Sequence, residues 1–459
     1  MLKGGLAPHR ITVELSETAK LALPIVVTQF GQLVMITTDL AFISRIDTDA
    51  LAAAALASRT YLVSFTFGTG LLAPIAALAA QAFGSNNLAI VRRSLRMGLW
   101  MALLLSFPIT AVLLKGEQIL LALGQAPNTA RLAQQYLFGL AWGVAPMLCF
   151  QVIRNFMTAV NRPEPISWIT VSAIPINALL LYVLIYGKLS LPRLGLFGAG
   201  LATTLVNCGM VSAGLWFAAR QPSCDYHVLA RFWRFDWPAM RHLIVIGTPI
   251  SIASLIGYGT ISAATFQAGL IGTGALAAHQ IALQIATTLF LIALAISVAS
   301  AVRVGQAVGR NDWPGVDRAG LAAILLGIGV VATLAIIVIL ARFEIAEFFL
   351  GSSTGGVDRT IGLAATLLSL AAWFFVSDTI AIIAAGALRG LRDTRVPLLF
   401  ASVSYWGIGF SLSYVLGFKT SLGVFGIWIG LSTGTTIYAG LLVVRFRLLT
   451  HRLAPRLRP

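Results

Sequence analysis

The segment QAFGSNN at residues 81–87 returns as QAVGRND at residues 306–312, 225 positions later in the chain. Two shorter segments repeat in the same order and at nearly the same offset, namely PI at 24 and 249, and LGLFG at 194–198 with LGVFG at 422–426. Matches that keep their order at a nearly constant offset indicate an internal repeat. The sequence therefore predicts two homologous halves.

The composition indicates that most of this chain's surface faces lipid. Of its 459 residues, 58% are hydrophobic and only 10% are charged, whereas soluble domains carry about 25% charged residues. The formal net charge is +16, and the basic residues are scattered between apolar runs. That pattern is typical of loops that contact anionic lipid headgroups, and it argues against nucleic-acid binding.

Twelve apolar runs are long enough to cross a hydrocarbon core, which takes about twenty helical residues. They lie near residues 20–43, 54–81, 95–114, 133–157, 165–187, 194–219, 243–268, 277–302, 319–341, 361–387, 397–417 and 422–444. The termini and the even-numbered connections hold 23 of the 32 lysines and arginines, with Arg154 counted in a connection. By the positive-inside rule, both termini are expected to be cytoplasmic. The predicted fold class is an all-α integral membrane protein of the inner membrane, with twelve transmembrane helices in two homologous six-helix bundles (bacterial, by the family resemblance given below).

The predicted domains follow from the repeat and from the longest polar connection. They are an N-terminal six-helix lobe at 1–219, a cytoplasmic linker at 220–242, and a C-terminal six-helix lobe with a basic cytoplasmic tail at 243–459. Because the repeat contains an even number of helices, the two halves are expected to share one orientation. Such halves leave a cleft, and rocking of the bundles can expose it to either side in turn.

Two carboxylates, Asp39 and Asp378, lie within predicted spans. A carboxylate at membrane depth costs at least about 2.5–3.5 kcal/mol and usually faces a bundle interior or a water cavity. Each is therefore a candidate to bind a proton, a metal cation or a cationic substrate. The alternative is a structural role, in which each pairs with a neighbouring hydroxyl or amide.

Asn177 and Gln32 are polar residues that could act with Asp39. The amide oxygen of Asn177 could ligate a cation and its amide hydrogens could bond Asp39, or the residue could only hold helices together. Gln32 lies seven residues before Asp39, near the same helix face.

Four further residues are substrate or gating candidates. His279 and Gln280 open the eighth span; His279 could contact substrate or titrate, or be a hydrogen-bonded histidine between helices. Pro24 could permit bending of the first span or simply mark its start. Phe374, one turn before Asp378, could line a binding wall or contact lipid.

No sequence motif predicts an enzyme, a metal site or a cofactor. Walker A, GxSxG and HExxH patterns are absent, and the three cysteines lack metal-ligand spacing. Uphill transport by this chain would therefore require an ion gradient or an unseen partner.

The segments AHQIAL at 278–283, RVG at 303–305 and IIAAGALRG at 382–390 resemble the multidrug and toxin extrusion (MATE) family, in its NorM-like bacterial branch. The resemblance extends over almost the whole chain. It implies a secondary transporter that exports cationic or amphiphilic compounds in exchange for sodium or protons by alternating access. A monomer is the default for such a two-lobed carrier.

The family's functional positions are partly kept. Asp39 of the first span, Asn177 of the fifth and Asp378 of the tenth match the family pattern, whereas Leu181 stands where many relatives have Asn or Asp.

In the second half, Phe374 replaces a tyrosine and Gly257 replaces a glutamate of NorM-like relatives. The resemblance therefore favours coupling through Asp39, with Asp378 as a second titrating or substrate-facing group, and protons over sodium as the coupling ion.

Three other functions fit the sequence less well. A lipid-linked saccharide flippase of the same superfamily tends to have a more basic cavity, whereas few arginines fall inside spans here and Arg59 is the main exception. A passive channel would not be expected to show a two-lobed repeat with membrane carboxylates. An intramembrane enzyme would need paired catalytic groups.

Overall fold

The computed structural model describes residues 8–188, 192–219, 233–351 and 356–453, and all regular structure in these ranges is helical. The helices are α1 (Pro8–Ile43), α2 (Thr48–Leu72), α3 (Pro74–Gly84), α4 (Leu88–Leu114), α5 (Gly116–Ala122), α6 (Pro127–Ala141), α7 (Val144–Ala159), α8 (Glu164–Tyr186), α9 (Gly195–Ala219), α10 (Trp237–Ile271), α11 (Thr273–Gly309), α12 (Trp313–Leu340), α13 (Arg342–Leu350), α14 (Gly356–Gly390), α15 (Arg395–Ala401), α16 (Ser411–Phe418) and α17 (Val424–Leu453), with a π-helix (Ser402–Phe410) between α15 and α16.

Eleven helical segments in the described ranges are long and apolar enough to cross a membrane. The pair α6 and α7, bent by 50°, gives a twelfth when it is counted as one span. The predicted all-α membrane fold is therefore confirmed, with the fourth predicted span broken at Trp142 and Gly143. The sequence did not predict the short helices α5 and α13, which directly follow the third and ninth spans.

The quoted repeat corresponds to two turns of the same geometry. Asn86 and Asn311 have left-handed backbones, with φ of 53° and 56°. Asparagine tolerates this conformation better than most residues. The next residues, Asn87 and Asp312, cap α4 and α12 by accepting hydrogen bonds of 3.1 and 2.9 Å from backbone amides three positions on. The matching sequence thus reflects the same turn and the same helix start.

Two more pairs of turns repeat in the same way. Gly195 and Gly423 of the LGLFG and LGVFG segments have φ of 54° and 55°. Asn161 after α7 and Arg392 after α14 have φ of 59° and 62°, a pair that the sequence did not reveal because the residue types differ. The internal repeat is therefore present in the backbone beyond the segments that show it in sequence.

The chain forms two compact units. The N-terminal unit is Leu23–Ser251, and the C-terminal unit is Met1–Ala22 with Ile252–Pro459. Both boundaries fall inside helices, within two residues of Pro24 and Pro249. Residues 220–232 of the proposed linker lie outside the described ranges, and the domain bounds given above remain predictions.

The C-terminal unit contains the start of α1, and the N-terminal unit contains the start of α10. An ion pair within the same unit binds each of these helix starts. In the C-terminal unit, Arg303 Nη2 lies 2.6 Å from Glu14 Oε2, and both side chains are mostly buried. In the N-terminal unit, Arg93 Nη2 lies 2.6 Å from Asp236 Oδ2, at the start of α10. The hydrogen bond from Arg93 holds the pKa of Asp236 below the usual range of an aspartate.

Helices α6 and α9 approach closely at glycines. A Cβ atom added to Gly139 would lie 2.7 Å from the carbonyl oxygen of Phe197 and 2.9 Å from backbone atoms of Gly200. Thr204 Oγ1 donates a hydrogen bond of 2.7 Å to the carbonyl oxygen of Gly139. This contact fixes the part of α9 that carries Thr203, which faces the first helix.

Candidate functional site

Asp39 is buried near the end of α1, where side chains of two other helices bind its carboxylate. Its side chain is 4% exposed. Asn177 Nδ2 of α8 donates a hydrogen bond of 2.7 Å to Asp39 Oδ1, and Thr203 Oγ1 of α9 donates one of 2.9 Å to Oδ2. The predicted pairing of Asn177 with Asp39 is thus present in the structure, whereas Thr203 was not among the predicted residues.

The amide oxygen of Asn177 faces the same buried region without a partner. Asn177 is 1% exposed, and its Oδ1 accepts no hydrogen bond from the described residues. Its orientation follows from chemistry, because only the NH₂ group can donate to a carboxylate. Leaving a buried acceptor unsatisfied costs about 1–3 kcal/mol. The site therefore has an unused oxygen ligand beside a carboxylate.

Two tyrosines complete the surroundings of Asp39. Tyr61 of α2 and Tyr136 of α6 are close enough to interact electrostatically with the carboxylate. Within the described ranges no lysine, arginine or histidine forms an ion pair with Asp39. Leu181, one turn after Asn177, is fully buried and offers no further oxygen.

Gln32 binds an arginine rather than Asp39. Arg154 Nη1 donates hydrogen bonds to Gln29 Oε1 at 2.7 Å and to Gln32 Oε1 at 3.4 Å. The charge count above placed Arg154 in a cytoplasmic connection although the predicted span 133–157 contains it, and in the structure the residue lies inside α7, five residues before the helix ends at Ala159. Arg59 is therefore not the main exception among arginines in spans.

Asp378 lies in α14 of the C-terminal unit and accepts no hydrogen bond from any described residue. Tyr405 and Tyr438 interact with it electrostatically, and their ring centroids are 4.9 Å apart. Tyr405 belongs to the π-helix, a form of helix that is frequent at functional sites. A Cβ atom on Gly257 would have the Tyr405 ring as its nearest neighbour, at 4.0 Å.

His279 is buried and uses both ring nitrogens. Trp428 Nε1 donates a hydrogen bond of 3.1 Å to Nδ1. An indole nitrogen only donates, so Nε2 carries the ring hydrogen and donates to Thr265 Oγ1 at 2.9 Å. This geometry is that of a hydrogen-bonded histidine between α10, α11 and α17, whereas its neighbour Gln280 is exposed.

The remaining candidates, Phe374 and Pro24, take no part in the hydrogen bonds of Asp39, and Asp378 accepts none from the described residues. Phe374 is 6% exposed and packs edge-on against Trp428, with ring centroids 5.5 Å apart, in the core of the C-terminal unit. Pro24 lies inside α1, which continues through it. The carbonyl oxygen of Pro24 accepts hydrogen bonds from Thr28 at 2.9 Å and Ser167 at 2.7 Å.

A family model for MatE matches residues 24–183 and 249–415. The chain belongs to the MatE family. The two matched segments begin at Pro24 and Pro249, the prolines of the internal repeat, so each half corresponds to one copy of the MatE unit. The fold and the resemblance predicted from sequence are both confirmed.

Similar proteins support the same assignment. The chain is 54% identical to "Probable multidrug resistance protein NorM" of Bradyrhizobium diazoefficiens, over 98% of this chain and 97% of that protein. It is 50% identical to the protein of the same name in Rhodopseudomonas palustris, over 98% and 95%.

Solved MATE structures share the fold. The eukaryotic transporter AtDTX14 has a TM-score of 0.84 at 17% identity, covering 98% of this chain and all of that one. An outward-facing multidrug resistance MATE transporter has a TM-score of 0.84 at 19% identity, covering 96% and 97%. Membership in this transporter family and the apolar helices make the chain a bacterial multi-pass inner-membrane protein.

Proposed function

We propose that this chain is a secondary active multidrug efflux transporter, which exports cationic or amphiphilic small molecules in exchange for protons by alternating access. We further propose that it works as a monomer in the lipid bilayer with both termini cytoplasmic. The observation that carries the proposal is the buried Asp39 carboxylate, which is bound by two neutral donors and lies beside the unused oxygen of Asn177. The names of the NorM relatives favour export over the flippase alternative.

The surroundings of Asp39 suit a group that exchanges its ligand. An aspartate in a permanent ion pair would have to break that pair in order to take up a proton or a cationic substrate. Asp39 has only the amide of Asn177 and the hydroxyl of Thr203 as hydrogen-bond donors. A proton can therefore replace a cationic substrate at the carboxylate while both neutral partners stay in place.

The oxygen atoms at this site support a proton over sodium. Hard metal cations are held by about six oxygen ligands in proteins. Around Asp39 the side chains that form its hydrogen-bonded site offer four oxygens: the two carboxylate oxygens, both of which already accept hydrogen bonds, Asn177 Oδ1 and Thr203 Oγ1. Leu181 removes the further oxygen that many relatives carry. Dehydration of a sodium ion would be poorly compensated by so few ligands.

The test is ethidium transport by purified protein in liposomes, under an imposed pH gradient or an imposed sodium gradient. We expect the pH gradient alone to drive transport in the wild type and Asp39→Asn to abolish it. Asp236→Asn, a carboxylate change outside the spans, serves as the matched control and should transport normally. Asp378→Asn measures how much the carboxylate of the C-terminal unit contributes to pH-driven ethidium transport.

Three results would contradict the proposal in different ways. Full pH-driven transport by Asp39→Asn would remove Asp39 from the coupling mechanism. A strict requirement for sodium would show that ligands beyond these side chains complete a metal site. Equal ethidium flux with and without any gradient would indicate a passive pathway.

A further inference from the structure

Arg154 is a cation inside a helix of the bent fourth candidate span, and the hydrogen-bond partners of its side chain are all neutral. It lies five residues before the end of α7, and its Nη1 group binds the amide oxygens of Gln29 and Gln32. Among the described residues no carboxylate forms an ion pair with it. A charged side chain within a membrane span normally pairs with an opposite charge or faces a water-filled cavity.

The guanidinium is held on one side and unoccupied on the other. The Nε and Nη2 groups, which carry three N–H donors, have no hydrogen-bond partner within the described ranges. The residue is partly exposed. The two glutamines therefore fix the orientation of a donor fork whose remaining N–H groups can reach a ligand.

Arg303 provides a contrast within the same chain. It also lies inside a spanning helix, but Glu14 neutralises it at 2.6 Å. Arg303 thus has a carboxylate partner, whereas Arg154, like Arg389 with Ser297 Oγ, has only neutral partners among the described residues. A planar guanidinium without a counter-charge is the group that proteins use to bind carboxylates through two parallel hydrogen bonds.

The position of Arg154 relative to Asp39 defines the charge pattern of a ligand. Gln29 and Gln32 precede Asp39 by ten and seven residues on α1, which corresponds to about 10–15 Å along the helix axis. Gln32 and Asp39 also lie near one face of the helix. The N-terminal unit therefore presents an anionic group and a cationic group, and the glutamines that bind the cationic group lie about 10–15 Å from Asp39 along α1.

We propose that Arg154, oriented by Gln29 and Gln32, is the subsite that binds the carboxylate of amphiphilic zwitterionic substrates. Such a substrate places its ammonium group towards Asp39 and its carboxylate on Arg154. This inference rests on the proposed export function and specifies one class of its substrates. A compound with the same ammonium group but no carboxylate uses Asp39 alone.

The experiment compares three compounds that differ in the acid group. Norfloxacin carries an ammonium and a carboxylate, norfloxacin methyl ester keeps the ammonium only, and ethidium is a cation without an acid. Their equilibrium binding to purified protein is measured by intrinsic tryptophan fluorescence, and their transport in liposomes is measured in parallel. The variants are Arg154→Gln and Arg154→Lys, with Arg59→Gln in α2 as the matched control.

Arg154→Gln is expected to weaken norfloxacin binding by at least about tenfold, the effect of losing a charge-assisted bidentate contact. Binding of the ester and of ethidium should change by less than about twofold. Arg154→Lys, which keeps the charge but not the fork, should retain part of the norfloxacin affinity. Arg59→Gln should alter none of the three.

Two outcomes would overturn the subsite. One is equal binding of norfloxacin and its ester by the wild type. The other is an equal loss for all three compounds in Arg154→Gln, which would mean that the arginine only supports the fold or contacts a lipid headgroup. Failure of the export function would appear differently, as binding without gradient-driven transport of any compound.

Discussion

The glycine contact between α6 and α9 predicts that Gly139→Ala damages both stability and transport. The added Cβ atom would lie 2.7 Å from the carbonyl oxygen of Phe197, whereas ordinary contacts begin at 3.4 Å. The obstructing atoms are backbone, so α9 has to move by about 0.7 Å. Thr203 is on that helix, and its 2.9 Å hydrogen bond to Asp39 would be stretched or broken by such a movement.

The expected magnitude combines two opposing effects. Forcing a methyl group into a packed contact lowers the stability of the fold by about 1–3 kcal/mol. Replacing a helical glycine by alanine raises it by about 0.5–1 kcal/mol. Gly209→Ala is the matched control, because Gly209 lies in α9 with nothing within 4 Å of the added atom. It should therefore be neutral or slightly stabilising.

The assay is the apparent melting temperature of each purified variant in detergent, followed by pH-driven ethidium transport in liposomes. Gly139→Ala should melt below the wild type and transport more slowly, while Gly209→Ala should do neither. Thr203→Val removes the same hydrogen bond without the steric effect, and it should reproduce the transport defect. A Gly139→Ala variant as stable as Gly209→Ala would refute the packing argument, and normal transport by Thr203→Val would refute the link to Asp39.

Three further predictions concern single contacts, each checked by the melting temperature of the purified variant. Trp428→Phe leaves the buried Nδ1 of His279 without a donor and should cost about 1–3 kcal/mol. Asn86→Ala should destabilise the left-handed turn by about 1–2 kcal/mol, whereas Asn86→Gly should not. Because Arg93 lowers the folded pKa of Asp236, their partly exposed pair contributes at most about 1 kcal/mol above pH 4 and loses it at lower pH; Asp236→Asn should abolish that acid-side loss.

The spans and the repeat could be predicted from sequence because they depend on local composition. A run of about twenty apolar residues is visible in the sequence whatever its neighbours are. The turn at Asn86 and Asn311 was also detectable, since few residue types adopt a left-handed backbone well. The equivalent turn at Asn161 and Arg392 was not, because an arginine there does not indicate its backbone conformation.

The partners at the candidate site could not be predicted to the same extent. Thr203 is one of several threonines in apolar helices, and only the packing of α6 against α9 turns it towards Asp39. Arg154 lies a few residues before a loop, where the charge pattern suggests a cytoplasmic position. The direction of its side chain, towards Gln29, depends on the tertiary structure.

The two halves share their backbone but not their chemistry. At the offset of the first repeat, 225, the residue equivalent to Asp39 is Ala264, which is 2% exposed in the core of the C-terminal unit. When the equivalent turns at Asn161 and Arg392 are aligned, the residue equivalent to Asp378 is Met147. Neither carboxylate has a counterpart in the other half. The repeat therefore retains the residues that form turns, while each unit has its own charged group in different surroundings. Such a division predicts that Asp39→Asn and Asp378→Asn impair different steps, and that a carboxylate moved to Ala264 would not compensate for the loss of Asp39.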